Sequence, residues 1–246
     1  MGELVIDQSK KRKTLVMWSG GLDSTYGVVR LLNETDDEVY AHHMHRVARH
    51  DRGDRSSMTC ESEAIAIEKM KPFIQEYYRD FHFSESLVDL SDFSAFARDT
   101  TTTMFFAAQV AKSFGFTVRD RILFSMNSDE DRDWNPGSEI YSFLRMMNVG
   151  LLKNIWRSED VPYCFLWPEP PSKQEEADYM PYELFCLTSS CRDPLLSPDG
   201  HEVKCGRCAE CITLRSVRHR ELLEKPEASV SSSLIGQGIK EEQANG

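Results

Sequence analysis

The chain has 246 residues, 40% of them hydrophobic, enough for one sizeable core, so a single main domain with a small appendage is expected. Its 29 basic and 40 acidic residues leave a formal net charge of −11, which argues against a general nucleic-acid binder, because such a protein needs a basic face to displace counterions. No signal peptide and no apolar stretch of membrane length is visible, so the seven cysteines read as thiols or metal ligands rather than disulfides, and a cytoplasmic protein without a membrane partner is expected.

In chain order, strands and helices alternate as a parallel α/β sheet requires. Strands are predicted at 14–18, 39–44, 87–90, 122–125 and 163–167, and helices at 25–32, 59–75, 101–114 and 138–156. The first strand ends in the apolar run Leu15-Val16-Met17-Trp18 and leads straight into Ser19-Gly20-Gly21-Leu22-Asp23-Ser24, with a helix starting near Thr25. The glycines allow a tight turn and close approach to an anion, while the first helical amides present the positive end of the dipole. That arrangement suits the phosphates of ATP. Ser19 and Ser24 add hydroxyls, and Asp23 is suited either to cap the helix or to hold Mg²⁺. Neither G-x-x-x-x-G-K-[ST] nor G-x-G-x-x-G is present.

On the second strand, alternation places His43 and His45 on one face and His42 on the other. They read as strand residues near the active edge, with His45 the candidate substrate contact. The basic segment 46–55, interrupted by Asp51 and Asp54, is open to two readings, a solvated loop or a lid over phosphate or substrate. Ala64, Ile67 and Ile74 fall at helical spacing in the second helix, as do Met104, Phe105, Ala108 and Ala111 in the third; Met104, Phe105 and Phe106 are read as core. Right-handed crossovers would bring the glycine loop and the loops after Met44 and Ser125 to one edge, the carboxyl ends of the strands.

Further on, Cys191 is followed by Cys205-Gly206-Arg207-Cys208-Ala209-Glu210-Cys211. Two overlapping C-x-x-C steps after a distant first cysteine suit a tetrahedral Zn²⁺ site that closes a segment too short to build its own core. An iron-sulfur cluster on the same thiolates is the alternative. His201 is a spare candidate ligand but, with four thiols available, reads as a solvated loop residue, and Cys60 and Cys164 read as packed thiols. Residues 226–246 show no helical stripe and read as a mobile tail.

The string S-G-G-x-D-S at 19–24 resembles the signature of the PP-loop ATP pyrophosphatases, which cleave ATP between the α and β phosphates and adenylate a substrate oxygen. Paired with Ser190-Cys191 and Cys205 to Cys211, it resembles the 7-cyano-7-deazaguanine synthases (the QueC family) over most of 13–220. Leu166-Trp167-Pro168-Glu169, Lys173, Glu176 and Leu187-Thr188-Ser189-Ser190-Cys191 come in that family's order. The resemblance implies an α/β parallel-sheet PP-loop domain (adenine nucleotide alpha hydrolase-like, Rossmann-like) at 13–183, a zinc-binding module at 184–225, and the tail at 226–246. It also implies ATP binding at Ser19, Gly20, Gly21, Leu22, Asp23, Ser24 and Thr25, with Asp23, Ser24 and Lys173 catalytic. ATP, Mg²⁺ and Zn²⁺ would be the cofactors, and Cys191, Cys205, Cys208 and Cys211 the metal ligands. Family chemistry turns a deazapurine carboxylate, 7-carboxy-7-deazaguanine, into an amide and then a nitrile with ammonia, using ATP twice.

The chain departs from the family pattern where the acceptor is read. Segment 45–55 stands in place of a D-Y-G-Q-R-H-like stretch, with Arg49-His50 its only remnant; 98–103 replaces a P-G-R-N-like stretch, and 127–137 a T-D-x-S-G-Y-P-D-C-R-like one. Arg49, His50, Asp129, Glu130 and Arg132 are the resulting substrate-binding candidates. Two acceptors stay open, the free deazapurine carboxylate or a macromolecule, either nucleic acid or a partner protein, with a tRNA-modifying PP-loop enzyme as a weaker reading. A homodimer is also open.

Overall fold

The computed structural model describes residues 11–47, 55–90, 99–128, 142, 144–156, 161–197 and 202–217. Five strands, β1 (Lys13–Met17), β2 (Glu38–Val47), β3 (His82–Asp89), β4 (Arg121–Leu123) and β5 (Tyr163–Phe165), form an all-parallel sheet in the order β3-β2-β1-β4-β5. Helices α1 (Leu22–Glu34), α2 (Arg55–Tyr77) and α3 (Asp99–Ser113) occupy the first three connections. A π-helical turn (Met146–Leu151) running into α4 (Leu152–Trp156) precedes β5. Then come α5 (Lys173–Tyr179), α6 (Tyr182–Leu187), a two-stranded antiparallel ribbon of β6 (Leu195–Leu196) and β7 (Glu202–Val203), and α7 (Ala209–Leu214).

β1 lies at the centre because its alternate side chains bury on both faces. Val16 joins α1 and α2 in a cluster with Val28, Leu31, Ile67, Met70 and Ile74, to which α5 and α6 add contacts through Met180 and Leu184. Leu15 points the other way, into a cluster with Met104, Ala108 and Ala111 of α3 and Met147 and Leu152. Helices therefore cover both faces, as an all-parallel sheet demands.

The elements depart from expectation where local signals are weak. β3 begins at His82 rather than 87, since it is an edge strand whose alternating polar residues lack an apolar run. Within the stretch predicted as one helix to 156, a π turn intervenes, a feature with no periodic signature. On α3, Met104 is buried as core, yet Phe105 is exposed and Phe106 half-buried. No helix among the described residues is long and apolar enough to cross a membrane. The tail 226–246 and His201 lie outside the described residues.

Candidate functional site

Strand order reverses at β1, whose neighbours are β2 and β4, and open parallel sheets bind ligands in the crevice at such a switch. The loop 19–24 opens at the carboxyl end of β1. Gly20 holds φ +75°, and a Cβ there would stand 3.0 Å from the Glu63 carbonyl, so the position needs glycine. The turn ties itself together through hydroxyls: Ser19 N–H donates to Ser24 Oγ (3.2 Å), the two hydroxyls lie 3.0 Å apart, and Ser24 Oγ–H donates to Gly21 O (3.3 Å). Helix α1 starts at Leu22 behind Gly21, which has no side chain to cap it, and the Leu22 amide donates to the Ser190 hydroxyl (3.0 Å). A helix start that opens at a crevice behind a glycine N-cap is a natural anion seat.

Asp23 does not cap that helix. It turns instead to Lys173, whose Nζ lies 2.5 Å from its Oδ1, and accepts from Asn127 Nδ2 (3.1 Å). Lys173 is the first residue of α5, placed by a capping box in which Ser172 Oγ accepts from Glu175 N–H and the Glu175 carboxylate accepts from Ser172 N–H. One turn on, Glu176 is buried on the same face against Asp23 and Lys173. Glu210 of α7 completes the cluster 3.4 Å from Lys173 Nζ, and its other oxygen accepts from the exposed Arg192 (2.9 Å).

Three carboxyl groups thus surround one buried ammonium. Burial pushes the Asp23 carboxyl upward, but its hydrogen bond with Glu176 and the Lys173 charge outweigh that and hold it below the usual range. Burial pulls Lys173 down, while Asp23 and Glu210 more than offset it, so its pKa is raised and it stays cationic.

On the flank, a small cleft is lined by Trp18, Ser19, His42, His43, Met44, Arg46, Glu63 and Thr103. His42 is buried between Ser84 and Ser86 hydroxyls (2.8 and 2.9 Å), and burial lowers its pKa to about 4. His43 Nδ1 lies 3.0 Å from the Trp18 carbonyl, so the ring carries its proton there; Nε2 is left as a buried acceptor with no partner among the described residues. Alternation places the histidines as expected, with the His43 and His45 rings in contact. His45, however, faces Glu85 (3.4 Å), and it is His43 that lines the cleft.

The four thiols of Cys191, Cys205, Cys208 and Cys211 come together with their sulfurs all within 4.8 Å of one another. Cys205 and Cys211 Sγ are 4.0 Å apart, close to the ~3.8 Å edge of a tetrahedron with ~2.3 Å metal-sulfur bonds. Gly206, at φ +70°, makes the tight turn in Cys205-Gly206-Arg207-Cys208. Backbone N–H groups of Arg207 and Cys208 point at Cys205 Sγ (3.5 and 3.4 Å), and Cys211 N–H at Cys208 Sγ (3.4 Å), which stabilises thiolates. The Arg207 amide draws Cys205 down to about 6, whereas burial pushes Cys191 up to about 12. The donor set fits a metal such as zinc. Cys60, Cys164 and Cys186 lie apart from it, and Cys164 is buried with its thiol pushed up to about 12 by desolvation.

The structure therefore brings Ser19, Gly20, Gly21, Leu22, Asp23, Ser24 and Lys173 together at one edge. Thr25 is adjacent but buried, its Oγ1 accepting from Trp18 Nε1 (3.0 Å), so its side chain secures the tryptophan. Arg49, His50, Asp129, Glu130 and Arg132 lie outside the described residues. Sequence reasoning assigned no site role to Asn127, Glu176, Ser189, Ser190 or Glu210. The i, i+3 spacing of Lys173 and Glu176 was a legible signal; Glu210, hidden between two cysteines, had none. No protein-family model and no curated protein sequence matches the chain.

Proposed function

We propose that the protein is an ATP pyrophosphatase of the PP-loop type that adenylates a carboxylate and passes it to ammonia. The observation that carries this reading is the start of α1 at the glycine N-cap of the loop 19–24, opening at the β1/β4 switch with the Asp23–Lys173 pair at its base. The surplus of carboxyl groups around Lys173 adds support. An anionic triphosphate beside Asp23, Glu176 and Glu210 calls for a hard cation, and Mg²⁺ with oxygen ligands supplies it.

In this reading an acceptor carboxylate oxygen attacks the α phosphorus, the bond from α phosphorus to the bridging oxygen breaks, and pyrophosphate leaves with the electron pair. Loop amides are aimed at charge that grows on the leaving group, so they lower the barrier rather than only holding ATP. Lys173, held cationic, acts as an electrostatic clamp and not as a proton donor. Ammonia then adds to the acyl carbon, AMP departs with its electron pair, and an amide remains after loss of a proton. The amide oxygen then attacks the α phosphorus of a second ATP, pyrophosphate leaves with the electron pair and the amide nitrogen gives up a proton, and loss of AMP and the remaining proton gives the nitrile. The acceptor we assign is 7-carboxy-7-deazaguanine, on the resemblance of both motifs to its synthases. Zinc on the four cysteines would close the module without entering the chemistry.

Incubation with 7-carboxy-7-deazaguanine, ATP, Mg²⁺ and ammonium tests the reading. Amide and then nitrile should form by mass spectrometry, with AMP and pyrophosphate released in step. Release of ADP and phosphate overturns the pyrophosphatase assignment. A folded, ATP-binding preparation that converts none of the free acid overturns the small-molecule acceptor and points to a macromolecular one.

A further inference from the structure

The cysteine module reaches the glycine loop through residues that sit beside its ligands. Ser189 N–H donates to Gly20 O (2.8 Å), and Ser190 Oγ accepts from Leu22 N–H (3.0 Å), one of the first amides of α1. Both serines immediately precede Cys191. A Cβ on Gly21 would meet Ser189 O at 3.3 Å and Ser190 Oγ at 3.4 Å, so this segment lies directly against the loop. Ser189 Oγ is itself 2.9 Å from Ser62 Oγ of α2, in a buried contact. From the far side of the module, Glu210, between Cys208 and Cys211, reaches Lys173. Cys208 caps α7, its sulfur accepting from Cys211 N–H, so the helix that carries Glu210 is anchored by ligands at both ends of its first turn.

We infer that Ser190 and Glu210 are positioning residues through which the metal-bound cysteine cluster sets the geometry of the ATP loop and Lys173. The inference rests on the ATP reading above. Its physical basis is that a tetrahedral metal fixes the relative placement of Cys191 and Cys211, and each is one peptide bond from a side chain that holds the site. Coupling of this kind is reciprocal: a nucleotide on the loop must hold the metal more tightly by the same factor that the metal favours the nucleotide. A metal that only closed its own segment would be indifferent to nucleotide.

The test measures the equilibrium partition of zinc between the zinc-loaded full chain and a chromogenic chelator, with and without Mg²⁺ and α,β-methylene-ATP, which cannot be cleaved between the α and β phosphates. Nucleotide should tighten zinc binding about fivefold or more in the wild type. In Ser190→Ala with Glu210→Gln, retaining zinc by elemental analysis and unchanged by circular dichroism, most of that protection should vanish, and Ser190→Thr should keep its share. Wild-type protein that binds the analogue by calorimetry yet holds zinc with unaltered affinity overturns this inference alone. So do zinc-loaded, folded variants protected as fully as wild type. Wild-type protein that binds no analogue overturns the ATP reading and this inference with it.

Discussion

At the amino edge of the sheet, Asp37 accepts from the Thr14 hydroxyl and from Arg12 (3.0 Å) and Arg121 (2.8 Å); at the carboxyl edge, Lys173 lies among Asp23, Glu176 and Glu210. Both clusters bury charge, and both hold an aspartate below its usual pKa. They differ in membership. The amino-edge partners come from or next to the neighbouring strands β1, β2 and β4, and two guanidiniums and a hydroxyl satisfy one carboxylate. The carboxyl-edge partners come from α1, the loop after β4, α5 and α7, and the carboxyl groups outnumber the buried cation. The first cluster closes on itself at the strand ends and stabilises the fold; the second lies beside the glycine-led start of α1, where the proposed reading places ATP.

Removing the aspartate at each end separates these roles. Asp23→Ala should lower ATP turnover by about two orders of magnitude or more, through loss of a metal or phosphate contact worth roughly 3 kcal/mol. AMP formation per folded molecule measures it, and near-normal turnover would show that the two clusters do not differ. Asp37→Ala should instead cost about 2–3 kcal/mol of stability, because Arg121 is left largely buried and unpaired, with turnover per folded molecule unchanged. Urea unfolding and the same AMP assay decide this. A large turnover loss with intact stability would invert the comparison.

Acid titration sharpens it further. Since both aspartates are lowered, neither of them takes up a proton until the pH falls below the ordinary carboxylate range. His42 responds at higher pH, through the unfolded chain. His42 is held neutral by burial, with its pKa moved from 6.5 to about 4, so it contributes stability that is present above 6.5 and is lost as the pH falls toward 4. The unfolded chain takes up the proton over that range and the folded one does not. Urea midpoints should fall between about pH 7 and about pH 5 by the equivalent of about 2 kcal/mol, and His42→Asn should flatten that slope. An unchanged slope in the variant would assign the acid sensitivity to His43, whose pKa burial also lowers.

The smallest effect belongs to the rim. Arg192 pairs with Glu210 from solvent, at 67% exposure, so Arg192→Ala should change stability by less than about 0.5 kcal/mol and leave turnover within about twofold. A larger loss in either assay would mean that Glu210 depends on its solvent partner and not on Lys173.

Local chemistry made much of this molecule legible in its sequence. An apolar run before Ser19-Gly20-Gly21, a glycine able to take φ +75°, and a helix behind them specify a strand, a turn and a helix start through sterics within a few residues. Cys205-Gly206-Arg207-Cys208 specifies its own turn and its amide-to-sulfur bonds in the same way. Alternation of strand and helix implied a parallel sheet, though the polar edge strand β3 was only half visible. What joins these pieces was decided by the tertiary structure. Lys173 meets Asp23 across 150 residues of chain and Leu22 meets Ser190 across 168, because a parallel sheet delivers the carboxyl ends of its strands, and the loops and helices that follow them, to a single edge. No periodicity encodes such a meeting. Glu210 shows the limit most plainly: between two cysteines it reads as a solvated residue of a metal turn, and only the docking of that turn against α5 makes it a partner of Lys173.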